Sequence, residues 1–211
     1  MALPERPRPT VAFPQDRPRR LLRAIGALWL KLAGWTVEGE LPPVRKAVVI
    51  AAPHTSNWDM PFMLAVAFVC GVRPAWLGKR ELFRWPFGGL MRWLGGIPVV
   101  RGTSGNLVAQ VVERFAREES LFLVVPPSGT RSRARHWKSG FYYIARGAGV
   151  PLIPSFLDYR RRVGGLGPAF LPSDDVVADM GRLRAFYRDV HARFPERATP
   201  VRLEEEDGTN T

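Results

Sequence analysis

The sequence predicts an α/β fold: a single domain with a largely parallel sheet flanked by helices, preceded by an amphipathic N-terminal helix. Three observations predict it. Short apolar runs rich in β-branched residues alternate with segments of helical periodicity, the pattern of a sheet wound through crossover helices. A length of 211 residues and a hydrophobic share of 46% suit one ordinary globular domain. Polar clusters follow the strand-like runs, and open α/β sheets place ligands at the carboxyl ends of their strands.

Residues 1–19 read as a Pro/Arg-rich arm, expected to be flexible. In RRLLRAIGALWLKLAGW, Leu21, Leu22, Ile25, Leu28, Trp29, Leu32 and Trp35 recur at helical spacing, with Arg23 and Lys31 off the stripe. The segment is too short and too charged for a membrane span. It fits a helix lying in a bilayer interface, or equally one packed on the protein's own core. KAVVIAAP (46–53) is a buried strand by its β-branched run, and MPFMLAVAFVCG (60–71) a helix closed by Gly71. RPAWLG is a strand, RELFRWPFGGLMRWLGG a helical stretch broken at 86–89, and IPVVRG another strand. In SGNLVAQVVERFAREE, Leu107, Val111, Val112 and Phe115 share one helical face. SLFLVVPP is a strand, WKSGFYYIARGAG a helix with a glycine stop, and VPLIPSFLDY a strand. The domain is expected to span 20–197, leaving 198–211 as an acidic, polar tail that frays.

Composition narrows the partners. Lys plus Arg number 31 against 19 Asp plus Glu, a net charge of +12, which favours anionic partners: nucleic acid, anionic lipid or a phosphorylated ligand. Only four of those cations are lysines. Arginine suits bidentate phosphate contacts, although a codon bias produces the same excess. The basic residues are scattered rather than gathered on one periodic face, and no nucleic-acid-binding motif is present, so nucleic acid is not the expected partner. The single cysteine, Cys70, excludes a disulfide framework and a cysteine zinc site, and fits burial as a small hydrophobe. Three scattered histidines give no metal centre. No Gly-x-Ser-x-Gly elbow is present, which disfavours a serine hydrolase. The N-terminal residues are too rich in proline and charge for a secretory signal.

Three polar clusters carry candidate chemistry. APHTSNWDMP (51–60) leaves a strand and at once offers His54, Thr55, Ser56, Asn57 and Asp59, more polar groups than a helix cap needs. A histidine beside a carboxylate can act as a general base, the acid fixing its tautomer and stabilising the imidazolium. Ser56 or Asn57 fits the cap of the next helix. The second cluster is Arg101, after GGIPVV. The third is PPSGTRSRARHWKSG, where Gly129, Thr130 and Arg131 offer backbone N–H groups, a hydroxyl and a guanidinium, a cradle for phosphate or carboxylate. Arg101 and Lys79 add charge to it. Taken singly, these clusters are a helix cap, a surface arginine and a polar loop. His136 reads as a surface residue and His191 as a helix-face histidine.

Taken in order, HTSNWD, GKRELFRWPFGGLMRWLGGIPVVR, PPSGTRSRARHWKSG and VPLIPSF resemble the four sequence blocks of the glycerolipid acyltransferase family, which includes the 1-acylglycerol-3-phosphate O-acyltransferases. The resemblance covers roughly residues 46–160. It implies an α/β fold that moves an acyl group from a coenzyme A or acyl-carrier-protein thioester to a hydroxyl of a lysophospholipid or related lipid. No cofactor beyond that thioester co-substrate is implied. Carried over, His54 is the general base and Asp59 orients it. Arg101 helps hold the acceptor's phosphate, Gly129, Thr130 and Arg131 complete the anion site, Lys79 contributes further charge, and Pro154 shapes an acyl channel. The third block usually reads Pro-Glu-Gly-Thr-Arg, whereas here Ser128 replaces the glutamate. That change either redirects the acceptor or leaves Ser128 to brace the loop through its hydroxyl. The implied partners are an acyl-thioester donor, a lipid acceptor and a membrane surface. The implied location is the cytoplasmic face of a membrane, peripheral or monotopic, with oligomeric state open. An inactive lipid-binding homologue and a basic nucleic-acid-binding protein are the rival readings.

Overall fold

The computed structural model describes residues 17–99 and 104–207. Its centre is a seven-stranded sheet of β1 (Thr36–Glu38), β2 (Lys46–Ala51), β3 (Pro74–Lys79), β4 (Gly96–Val99), β5 (Leu121–Val125), β6 (Leu152–Asp158) and β7 (Val163–Leu166). The spatial order is β1-β7-β6-β2-β5-β3-β4. Neighbours from β6 to β4 are parallel, and β7 turns back antiparallel to β6. The helices are α1 (Arg17–Leu32), α2 (Asp59–Val69), α3 (Gly88–Trp93), α4 (Ser104–Arg117), α5 (Gly140–Ala148) and α6 (Val176–Tyr187). The predicted α/β class and the predicted central elements are therefore present.

Alternation along the strands splits the core into two layers. Val48 and Ile50 of β2 face the layer made by Phe115 of α4, Phe141 and Tyr142 of α5, and Met180 and Leu183 of α6. Ala47 and Val49 face the opposite side, with Val72 and, at its edge, Ala67 and Cys70. A strand covered on both faces reads as a continuous apolar run, which is why β2, β5 and β6 were legible. Burial pushes the Cys70 thiol up to about 11, in keeping with a packing role.

Helix α1 behaves differently from either simple expectation. It packs on α2 along a narrow edge, where Gly26 comes so close that an added Cβ would lie 2.8 Å from the Ala65 carbonyl oxygen. Leu30 and Trp35 join Phe62, Ala65 and Val66 in a small cluster. Most of the predicted stripe faces outward: Leu21, Ile25, Leu28 and Leu32 are exposed, Leu32 at 79%, whereas Leu22 is half-buried and the partly exposed Trp29 sets its ring 5.9 Å from that of Phe62. A second group of exposed apolar side chains, Leu82, Trp85, Phe87, Leu90 and Trp93, follows β3. Among the described residues no helix is long and apolar enough to cross a membrane.

Several features depart from the sequence reading. Strands β1 and β7 and helix α6 were not anticipated. The acidic tail is not frayed as far as Asp207: Leu203 is buried, the Trp137 amide donates to the Arg202 carbonyl at 2.8 Å, and His136 Nε2 lies 3.0 Å from Asp207 Oδ2. His136 is therefore largely covered rather than a surface residue. His191 lies past the end of α6 instead of on a helix face, and its carbonyl accepts the Tyr159 amide at 2.9 Å. The start of the Pro/Arg-rich arm lies outside the described residues, and its last residues, from Arg17, belong to α1.

Candidate active site

Strands β2 and β5 are adjacent and in register, with Ile50 opposite Val125, so the loops that leave them start level with one another. The first carries His54 and Asp59, the second Ser128 to Arg131. On the far side of β5, β3 is registered with Trp76 opposite Val124 and ends at Lys79. The first and third clusters, and the strand that ends at Lys79, thus emerge along the carboxyl edge of neighbouring strands. Arg101 lies outside the described residues.

The loop after β2 folds back on the first residue of α2. Asp59 is only 1% exposed. Its Oδ2 accepts the Thr55 amide at 2.8 Å and the Ser56 amide at 2.9 Å, and lies 3.1 Å from His54 Nδ1. Its Oδ1 accepts the Tyr159 hydroxyl at 2.7 Å. Burial pushes the Asp59 carboxyl up, but the His54, Tyr159 and amide donors outweigh it and hold the group below the usual carboxylate range. Because an ionised carboxylate can only accept, Nδ1 is the donor in this bond, and in a neutral ring with that tautomer Nε2 is the nitrogen with the lone pair. The His54 side chain is 18% exposed, so the ring is anchored at one end and reachable at the other.

The remaining polar residues of this turn have separate tasks. Ser56 Oγ accepts the amide of Trp58, which shapes the turn. The N-cap of α2 is Trp58 itself, without a side-chain cap, so neither Ser56 nor Asn57 takes the capping role expected of them. Asn57 is exposed. Thr55 is buried, and its Oγ1 accepts the amide of Phe194 at 3.3 Å. That contact brings the segment after α6 against the site. Arg193 places its guanidinium 5.7 Å from the Tyr159 ring centroid and 6.0 Å from that of Trp58.

The loop after β5 is braced from within. Ser128 is buried and its hydroxyl donates to the Thr130 carbonyl at 2.7 Å, so it shapes the loop and does not present a free hydroxyl. Gly129 sits at φ +63°, a left-handed conformation that favours glycine. Its amide donates to the Pro126 carbonyl at 3.0 Å, and Thr130 Oγ1 accepts the Ser132 amide at 3.2 Å. Of the groups expected to form an anion cradle, the Gly129 amide and the Thr130 hydroxyl are thus engaged within the loop. It offers charge instead: Arg131 is exposed, and the Lys138 side chain runs so close to Gly129 that an added Cβ would meet its Nζ at 3.2 Å.

The segment after α6 ties the two loops together. Besides Phe194 on Thr55, Thr199 Oγ1 accepts the Ala134 amide at 3.0 Å. Tyr187, buried in the core, donates from its hydroxyl toward the carbonyls of Ile50, near the end of β2, and of Ser155, in the middle of β6. A cavity of about 90 Å³ is lined by Pro53 of the first loop, by Trp137 and Tyr187, and by Val190, Thr199 and Val201 of that segment. Sequence reasoning missed Tyr159, Arg193, Phe194 and Thr199, because each reaches the site from far along the chain and carries no local motif. Among the described residues no cluster of side chains could hold a metal ion.

These features define a class: an α/β domain with a histidine–carboxylate pair and a basic loop on adjacent strands of a mostly parallel sheet. The sequence profile of the family described as Acyltransferase matches residues 34–158, and the chain belongs to that family. It is 30% identical over 133 residues to a 1-acyl-sn-glycerol-3-phosphate acyltransferase of Haemophilus influenzae, covering 58% of this chain and 54% of that protein. It is 31% identical over 113 residues to the protein of the same name from Escherichia coli, covering 50% and 44%. The chain thus spans about half the length of the curated relatives it matches. The crystal structure of the 1-acyl-sn-glycerophosphate acyltransferase PlsC from Thermotoga maritima shares the fold, with a TM-score of 0.57 over 82% of this chain and 76% of that one, at 21% identity.

Proposed function

We propose that this protein is an O-acyltransferase that moves a fatty acyl group from a thioester, coenzyme A or acyl carrier protein, to a hydroxyl of a lysophospholipid or related lipid. The observation that carries the reading is the buried, ionised Asp59 aligned on His54 Nδ1, with Nε2 left as the basic atom. In this mechanism Nε2 takes the proton of the acceptor hydroxyl as its oxygen bonds to the thioester carbonyl carbon. The tetrahedral intermediate collapses, the C–S bond breaks, and the imidazolium returns the proton to the departing thiolate. The products are an ester and a free thiol. Arg131 and Lys138, with Lys79 and Arg101, would balance phosphate on acceptor or donor. The relatives' names support an acceptor of the 1-acylglycerol 3-phosphate type.

The outward apolar stripe of α1, flanked by Arg20, Arg23 and Lys31, supports a place on an anionic bilayer surface, the side from which a lipid acceptor arrives. The test is thiol release from a long-chain acyl-coenzyme A, and from the matching acyl carrier protein, with 1-acylglycerol 3-phosphate presented in detergent. Release is expected from the wild type, with His54→Ala slower by about 10²–10⁴-fold. Equal rates in the two proteins end the general-base assignment. Silence with both donors across a panel of lysolipids ends the transferase reading in favour of an inactive lipid-binding homologue.

A further inference from the structure

We propose that Tyr159 is a positioning residue for this transfer: its hydroxyl fixes the Asp59 carboxylate to the sheet, and through Asp59 it sets the His54 ring. The inference rests on the general-base reading of His54. It starts from how the donors are divided between the two carboxylate oxygens. Oδ2 is held by His54 Nδ1 and by the amides of Thr55 and Ser56. All three belong to the same short turn as Asp59, so together they tie the turn to itself, and none of them ties the carboxylate to the sheet. Oδ1 is held from outside the turn, by the Tyr159 hydroxyl at 2.7 Å, from a residue 100 positions away. Tyr159 directly follows the last residue of β6, a strand buried along its whole length and paired with β2. This hydrogen bond therefore links the carboxylate to the fixed frame of the sheet.

The tyrosine is itself held in one orientation. Trp35 meets its ring edge-on at 5.0 Å between centroids, Phe62 at 6.2 Å, and the Arg193 guanidinium lies 5.7 Å away. Its amide donates to the His191 carbonyl, which anchors the backbone as well. Burial and the neighbouring Asp59 charge push the phenol well above its ordinary range, with Arg193 offsetting them only in part, so the hydroxyl stays a donor. A charge-assisted bond from a packed ring is short and directional, and the preorganisation of a base depends on such a neighbour. Removing the hydroxyl takes the donor from Oδ1 of a buried carboxylate and its direct tie to the sheet.

The test is steady-state kinetics on the full chain with a long-chain acyl-coenzyme A, or acyl carrier protein if that is the donor used, and 1-acylglycerol 3-phosphate. The proteins are wild type, His54→Ala, Asp59→Asn, Tyr159→Phe and Asp59→Asn/Tyr159→Phe. Tyr159→Phe keeps the ring and its neighbours. It is expected to lower kcat about tenfold with KM within about twofold. In the Asp59→Asn background the same change is expected to cost less than about twofold, because the tyrosine then has no carboxylate to act through. Full kcat in Tyr159→Phe overturns the proposal, and so does an equal tenfold loss in both backgrounds, which marks a general packing role. If the phenylalanine variant does not fold, a graded series of ring-fluorinated tyrosines at 159 keeps the shape and varies the donor. A trend of kcat with phenol acidity at constant KM supports the proposal, and a flat kcat overturns it. The parent reading fails separately: undiminished activity in His54→Ala sinks the general base. Inactive His54→Ala and Asp59→Asn beside a fully active Tyr159→Phe sink only the role of Tyr159.

Discussion

Asp59 carries four donors on two oxygens while almost wholly buried, an arrangement with a thermodynamic signature. Its pKa is depressed in the folded protein, so over the acid range the unfolded chain binds the extra proton first. The stabilisation is complete above the unfolded value of about 3.9 and is lost as pH falls through the lower folded value. Asp59→Asn should therefore be less stable than wild type at pH 7, and the gap should narrow steadily below about pH 4. Urea unfolding at a series of pH values measures this, and a gap that stays constant down to pH 2 would contradict it. At this scale half of the site was legible. The crowding of His54, Ser56 and Asp59 after an apolar run marked the turn, because the three donors to Asp59 Oδ2 lie within it. Tyr159 and Phe194 were invisible, because a hydrogen bond spanning 100 or 139 residues leaves no spacing to read. Ser128 was ambiguous for a different reason: the same hydroxyl can face a ligand or the loop, and only the fold turns it onto the Thr130 carbonyl.

Among the elements, α1 has the most to explain. Gly26 costs a helix about 1 kcal/mol relative to alanine, and its place against the Ala65 backbone shows what that secures: a close crossing on α2 that uses one edge of the helix and leaves most of the apolar stripe outside. Replacing Leu28 and Leu32 by serine should leave the thermal midpoint within a degree or two, since both side chains are already exposed. The same pair should weaken binding to anionic vesicles on the order of tenfold or more. Co-sedimentation measures the second effect, and unchanged vesicle binding would remove α1 from the membrane face. Legibility of the elements followed burial. The double-covered strands announced themselves, whereas β1 and β7 are short and β7 is half glycine. Gly165 is needed there because a Cβ would collide with the Glu38 carbonyl oxygen as β1 pairs alongside. Helix α6 hid for a subtler reason. Its core face carries Asp179 beside Met180 and Leu183, a buried acid satisfied by the Tyr142 hydroxyl and by Ser173, and that breaks the apolar stripe a reader looks for.

At the scale of the whole molecule, the family match stops at residue 158, yet the chain beyond it is built into the site. Phe194 holds the His54 turn, Thr199 and Arg202 hold the loop after β5, and Leu203 anchors the segment in the core at 1% exposure. Leu203→Ala should cost about 2–5 kcal/mol, read as a lower urea midpoint. Its effect on turnover should exceed that of an equally destabilising substitution of Phe115 on α4. Matching losses of turnover in the two variants would show that the segment contributes stability alone.

The clasp also has a consequence in time. Contacts that join distant parts of a chain form late, because the intervening loop has to close before they reward it. The central strands can pair once β6 has been made, but the turn bearing His54 gains its partner from Phe194 only after α6 has also been synthesised and has docked. A nascent chain still short of that point would hold a paired central sheet beside an unfastened His54 turn, so the candidate site would be completed only after the sheet that carries it.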